Sequence, residues 1–135
     1  MSRPTTDPRS FGPNAPPPPS RSSRGRAAEE LAERLLRSRG YEVLDRNWRG
    51  GRGELDLICR RAGLLVFVEV RSMRSRAFGT AIESIRADKI LRLRSAARAW
   101  LAAHGCPASA CRFDLVALQL TPSGALESTE VLEGF

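Results

Sequence analysis

The stretch from Leu65 to Arg71 constrains the fold of this chain more than any other. Side chains alternate along a strand, so Leu65, Phe67, Glu69 and Arg71 share one face and Val66, Val68 and Val70 the other. Both faces are largely apolar, which marks a central strand covered on both sides. Glu69 therefore needs a reason to be there, because a lone buried carboxylate costs several kcal/mol or takes up a proton. The preceding stretch, Gly53-Glu-Leu-Asp-Leu-Ile58, reads as the neighbouring strand, with Glu54 and Asp56 on one face. A hairpin turning at Arg61-Ala-Gly63 would bring Asp56 close to Glu69. Two acids converging beside a cation suit a hard divalent metal ion. The same residues also allow a metal-free salt-bridge network of Asp56, Glu69 and Arg71. Glu54, at the start of its strand, is a secondary candidate, since a solvated carboxylate there costs little.

The remaining elements surround that pair. Residues 1–24 hold seven of the nine prolines and almost nothing apolar. Such a composition cannot offset its ordering entropy, so a disordered or polyproline-like tail is expected, ahead of one domain over residues 25–135. From Gly25 to Arg39 the spacing of Ala28, Leu31, Ala32, Leu35 and Leu36 predicts a helix, stopped by Gly40. Glu29 borders that apolar stripe and either looks into the domain or serves as a first-turn acid favoured by the helix dipole. A strand is expected over Tyr41–Asn47 and a glycine-rich turn over Trp48–Gly53. After the acid-bearing strand come a loop at 72–84, a helix from Ile85 to Ala103, a strand from Arg112 to Leu120 and an edge strand ending near Leu132. Asp114 is a further acid among aliphatics, either a minor member of the site or a partner for an arginine.

Lys and Arg number 22 against 15 Asp and Glu, a net charge of +7 that favours a polyanionic partner, nucleic acid first. Arg52 in the glycine-rich turn, Arg74 and Arg76 in the loop, and Lys89 and Arg92 on the second helix are the candidate phosphate contacts. No apolar run reaches the ~18 residues that span a bilayer, so a cytoplasmic protein with no membrane partner is expected. Cys59, Cys106 and Cys111 form no Cys-x-x-Cys pair, and with His104 they make a poor zinc set, so reduced thiols are expected.

The order helix, three strands, helix, strand is that of an α/β fold with a mixed central sheet flanked by helices. With Glu29, Asp56, Glu69 and Arg71 placed on it, the chain resembles the restriction-endonuclease-like, PD-(D/E)xK, nucleases. Gly25-x-x-Ala-Glu-Glu-x-Ala32, Arg46-Asn-Trp-Arg49, Gly53-Glu-Leu-Asp-Leu-Ile58, Val66-Phe-Val-Glu-Val-Arg71 and Arg112-Phe-Asp114 together resemble the YraN family of small bacterial proteins, from about Gly25 to the C-terminus. The resemblance implies Asp56 and Glu69 as metal ligands, the Val70 carbonyl as a third, Glu29 as the helix acid that completes the site, and Arg71 at the catalytic lysine position. It further implies Mg²⁺ or Mn²⁺ and endonucleolytic hydrolysis, of DNA ahead of RNA and of branched or flapped forms in particular, with a homodimer left open. The alternative is a nucleic-acid-binding or adaptor module on the same fold without turnover. A guanidinium cannot serve as a base, so Arg71 departs from the pattern, as does Ile90, where a glutamine often stands.

Overall fold

The computed structural model describes residues 20–74, 85, 87–106 and 111–135. In chain order these form α1 (Ser20–Ser38), β1 (Glu42–Gly50), β2 (Gly53–Arg61), β3 (Leu64–Met73), α2 (Ala87–Ala103), β4 (Cys111–Leu120) and β5 (Leu126–Glu133). The five strands make one mixed sheet in sequence order. β3 and β4 run parallel and every other neighbouring pair antiparallel. The parallel step follows from α2, which carries the chain back across the sheet between them.

β3 is the central strand that its sequence predicts. Val66 and Val68 pack with Ala32 and Leu36 of α1 on one face, together with Leu57, Cys59, Val116 and Leu118. Leu65 and Phe67 pack on the other face with Leu93, Ala96, Ala97, Trp100 and Leu101 of α2. Each helix covers one side, so a strand apolar on both faces is what the architecture requires.

Both helix ends carry the same backbone device. At α1, Tyr41 N–H donates to Leu36 O (3.0 Å) and Gly40 N–H to Arg37 O (3.1 Å), with Gly40 at φ +89°. This is the Schellman arrangement, which glycine adopts without steric cost and which satisfies the last carbonyls. Cys106, Gly105 and the carbonyls of Leu101 and Ala102 repeat it at α2.

Several boundaries differ from the sequence expectation. α1 begins at Ser20 rather than Gly25, extending one turn back into the stretch assigned to the tail, while residues 1–19 lie outside the described residues. β1 continues through Trp48 to Gly50, pairing Trp48 with Leu55 and Gly50 with Gly53, so the turn shrinks to Gly51 and Arg52. Trp48 packs against the α2 cluster, and that burial extends the strand across a glycine-rich sequence. α2 starts at Ala87, β3 runs to Met73, and residues 75–84, including Arg76, which fall in the expected loop, lie outside the described residues. Among the described residues no helix is long and apolar enough to cross a membrane.

Candidate metal and phosphate site

The site begins where the sheet opens. β2 and β3 pair from Arg61↔Leu64 to Leu57↔Val68, and the next step would set Asp56 opposite Glu69. That backbone pairing is absent. Instead Val70 N–H donates to Asp56 Oδ2 at 2.8 Å, so a side chain replaces the carbonyl that a continuing strand would supply. Alternation breaks at the same point: Leu57 and Cys59 face α1, whereas both Leu55 and Ile58 join the α2 cluster. The divergence leaves a notch between the strands, lined by carboxylates. N–H and C=O of one strand residue point to the same side, so the Val70 carbonyl also belongs to that edge.

Glu69 is 3% exposed. Burial, then the neighbouring Asp56, push its carboxyl up to about 8. Asp56 is also raised, through burial, against the opposing pull of the Val70 N–H and of a hydrogen bond with Glu69. A single proton on Glu69 can therefore be shared between the two carboxyls. With both ionised, Glu69 Oε1 is fully buried and has no hydrogen-bond partner among the described residues. On the other oxygen, Lys89 Nζ lies 3.6 Å from Oε2.

The other expected site residues are distributed unevenly. Arg71 is half-buried on β3 and its charge reaches Glu69, more weakly than that of Lys89. Glu54 is paired with Arg49 at 2.8 Å in solvent, the bland role its position suggested. Glu29 lies half-buried on α1. Among the described residues, neither it nor any other His, Cys, Asp or Glu makes a third member with Asp56 and Glu69.

Asp114 takes the second of its two expected roles. It is fully buried and accepts from Tyr41 Oη (2.7 Å), Arg112 Nε (2.8 Å) and Nη2 (2.9 Å), and Gly134 N (3.0 Å). It ties β4 to Tyr41, beyond the turn that ends α1, and to the C-terminal end, remote in role from the notch. Arg46, within another motif of the resemblance, likewise serves the fold: its guanidinium clasps Glu33 of α1 and draws that carboxyl down to about 2.

A basic rim flanks the acids. The β1–β2 turn rests on α2, where Arg52 N–H donates to Ser95 Oγ (3.0 Å). A Cβ on Gly51 would fall 2.7 Å from Ser95 Oγ, and one on Gly53 would fall 2.5 Å from Arg92 O. Glycine at both positions is thus what lets the turn approach the helix. The contact brings exposed Arg52 alongside exposed Arg92, which also pairs with Asp88 at 3.3 Å. Arg74 is diverted: its Nη1 donates to Pro122 O at 3.3 Å in the β4–β5 turn. Sequence reasoning missed Ser95 and gave Lys89 to the outer basic face of the helix. One signal was legible, since Lys89 is the only lysine in an arginine-rich chain.

The model of the uncharacterised protein family UPF0102 matches residues 28–118, which include both strands of the notch and Lys89. A UPF0102 protein of Moorella thermoacetica is 40% identical over 114 residues, covering 84% of this chain and 95% of that one. One from Roseiflexus castenholzii is 48% identical over 101 residues, covering 74% and 82%. Among solved structures, Pyrococcus furiosus SfsA in complex with Ca²⁺ aligns with a TM-score of 0.37 at 17% identity, over 85% of this chain and 64% of that one. At that score the likeness establishes neither a shared fold nor a shared chemistry. With a family model spanning most of its folded part and relatives matched along most of their length, this chain belongs to the UPF0102 family.

Proposed function

We propose that the protein is a divalent-metal-dependent endonuclease with a restriction-endonuclease-like core, hydrolysing phosphodiester bonds in DNA and favouring branched or flapped forms. The observation that carries this reading is the buried Glu69 Oε1, which, once both acids are ionised, has no partner among the described residues and lies beside Asp56 where β2 leaves β3. A buried oxygen without a donor is costly in a fold that satisfies Asp114 so completely, and a bound cation would remove that cost. The donors are carboxylates and one backbone carbonyl, the hard oxygen set that suits Mg²⁺ or Mn²⁺.

Asp56 and Glu69 would hold the ion, with the Val70 carbonyl as a third donor. When bound, such an ion polarises a phosphodiester and lowers the pKa of an attacking water. The chain's own residues do the rest. The Val70 N–H fixes the orientation of Asp56. Arg71 cannot accept a proton, but its guanidinium can hydrogen-bond to a phosphate as negative charge builds on it. Arg52 and Arg92 on the rim would hold the nucleic-acid backbone irrespective of sequence.

Arg71 also favours a second reading. A chain with no lysine on the acid-bearing strand could retain the fold and basic rim as a nucleic-acid-binding module without turnover. Calorimetric titration of Mn²⁺ into wild type, Asp56→Asn and Glu69→Gln, beside cleavage of linear, flapped and four-way DNA, separates the two. Binding lost in both variants, with cleavage lost in parallel, is expected for the nuclease. Metal binding without cleavage of any substrate supports the module. No uptake by folded wild type, even with DNA present, reduces the acids to a salt-bridge network.

A further inference from the structure

The strand position where the resemblance calls for a lysine holds Arg71, and the chain's only lysine enters the notch from another element. Lys89 stands in the first turn of α2 and sets Nζ 3.6 Å from the Oε2 of Glu69. A cation is disfavoured by the helix dipole in a first turn, so this placement needs a local counter-charge, and the acid pair of Asp56 and Glu69 supplies it. The lysine side chain remains about one-third exposed while the carboxylate beneath it is buried. The ammonium therefore lies at the mouth of the notch, between the acid pair and solvent, on the same helix as Arg92 of the rim. Among residues that meet other acids through guanidinium forks, such as Arg46 on Glu33 and Arg112 on Asp114, this is the one compact, rotatable charge. A fork would lock onto both carboxylate oxygens, whereas Lys89 leaves Oε1 without a partner.

We infer that Lys89 is the resident cation of the acid pair, holding Glu69 until a divalent ion displaces it and then facing the substrate phosphate at the mouth of the site. The inference rests on the metal-dependent reading above and supplies the lysine that the strand lacks. A resident cation competes with an incoming one, so its removal has opposite effects on metal binding and on turnover. A lysine that merely touches the nucleic-acid backbone has neither effect.

The test compares wild type with Lys89→Met and Lys89→Arg. Calorimetry with Mn²⁺ alone is expected to show binding tightened by about tenfold in Lys89→Met, because a unit positive charge beside the carboxylate has gone. Single-turnover cleavage is expected to fall by about a hundredfold in kcat with KM little changed, and Lys89→Arg to recover part of it. Unchanged Mn²⁺ affinity in a folded Lys89→Met protein overturns the assignment. So does a rise in KM at constant kcat, which would make Lys89 an ordinary phosphate contact. Failure of wild type itself to take up Mn²⁺ would remove the functional reading and this inference together, whereas uptake that Lys89→Met does not alter would remove this inference alone.

Discussion

Asp114 and Glu69 are both buried acids on neighbouring strands, at adjacent levels of the β3–β4 pairing, where Val68 faces Asp114 and Glu69 faces Leu115. Their surroundings differ sharply. Asp114 receives hydrogen bonds from a tyrosine, an arginine and a backbone N–H. Glu69 has a lysine at the limit of ion-pair distance, a second carboxyl beside it and one oxygen with no partner among the described residues. Burial alone therefore does not distinguish a structural acid from a functional one. The distinction lies in whether the surrounding groups exhaust the lone pairs, because an exhausted carboxylate has nothing left to offer a ligand.

The comparison breaks most visibly at Asp114. Asp114→Ala leaves Arg112, Tyr41 and the Gly134 N–H without their acceptor, and a loss of about 3–5 kcal/mol in denaturant unfolding is expected. Mn²⁺ binding by whatever fraction remains folded should match wild type, and a loss of binding would place Asp114 in the site after all.

Glu69→Gln should act in the opposite direction. The Glu69 carboxyl is raised from 4.5 to about 8 on folding, so its contribution to stability is complete below about pH 4.5 and is lost as pH rises through about 8. Without metal, wild type is expected to lose stability across that window. Glu69→Gln should not, making it more stable by about 1–3 kcal/mol near pH 9. Thermal unfolding as a function of pH without metal reads this directly, and parallel curves for the two proteins would contradict the raised carboxyl.

The same proton competes with metal. Mn²⁺ affinity should climb as pH rises toward about 8 and level off above it, by up to about tenfold per pH unit below that point. A flat profile from pH 6 to 9 would mean that Glu69 is not a ligand. The smallest expected effect is at Glu54, whose pairing with Arg49 is solvated on both sides. Glu54→Gln should change stability by less than about 0.5 kcal/mol and leave metal affinity within a few-fold of wild type.

Much of the fold was legible from local pattern. The stripe Ala28, Leu31, Ala32, Leu35 and Leu36 packs on the sheet as its periodicity requires, and Gly40 ends the helix. Leu93, Ala97, Trp100 and Leu101 do the same for α2. The misplaced boundary at Trp48 arose because glycine and arginine around it signal a turn, whereas the indole, packed against the α2 cluster, keeps the chain paired with β2 through Gly50, past the left-handed Asn47. For the candidate site, period-2 alternation and the expected hairpin put Asp56 near Glu69 and left Asp114 with two roles. A hairpin by itself implies a continuing ladder, whereas the β2–β3 pairing stops at Leu57↔Val68 and Asp56 meets the strand through its side chain.

By itself the sequence determined that β3 would lie at the centre of a sheet, apolar on both faces with an acid on one, because side-chain alternation is a property of neighbouring residues. Tertiary structure decided which acid would be satisfied and which left open. Asp114 meets a hydroxyl 73 positions away at Tyr41, Asp56 takes the amide of Val70 across a break in the ladder, and Glu69 meets a lysine delivered by a separate helix. Hydrogen-bond satisfaction in a core depends on donors that arrive from distant parts of the chain, and no local pattern encodes their arrival.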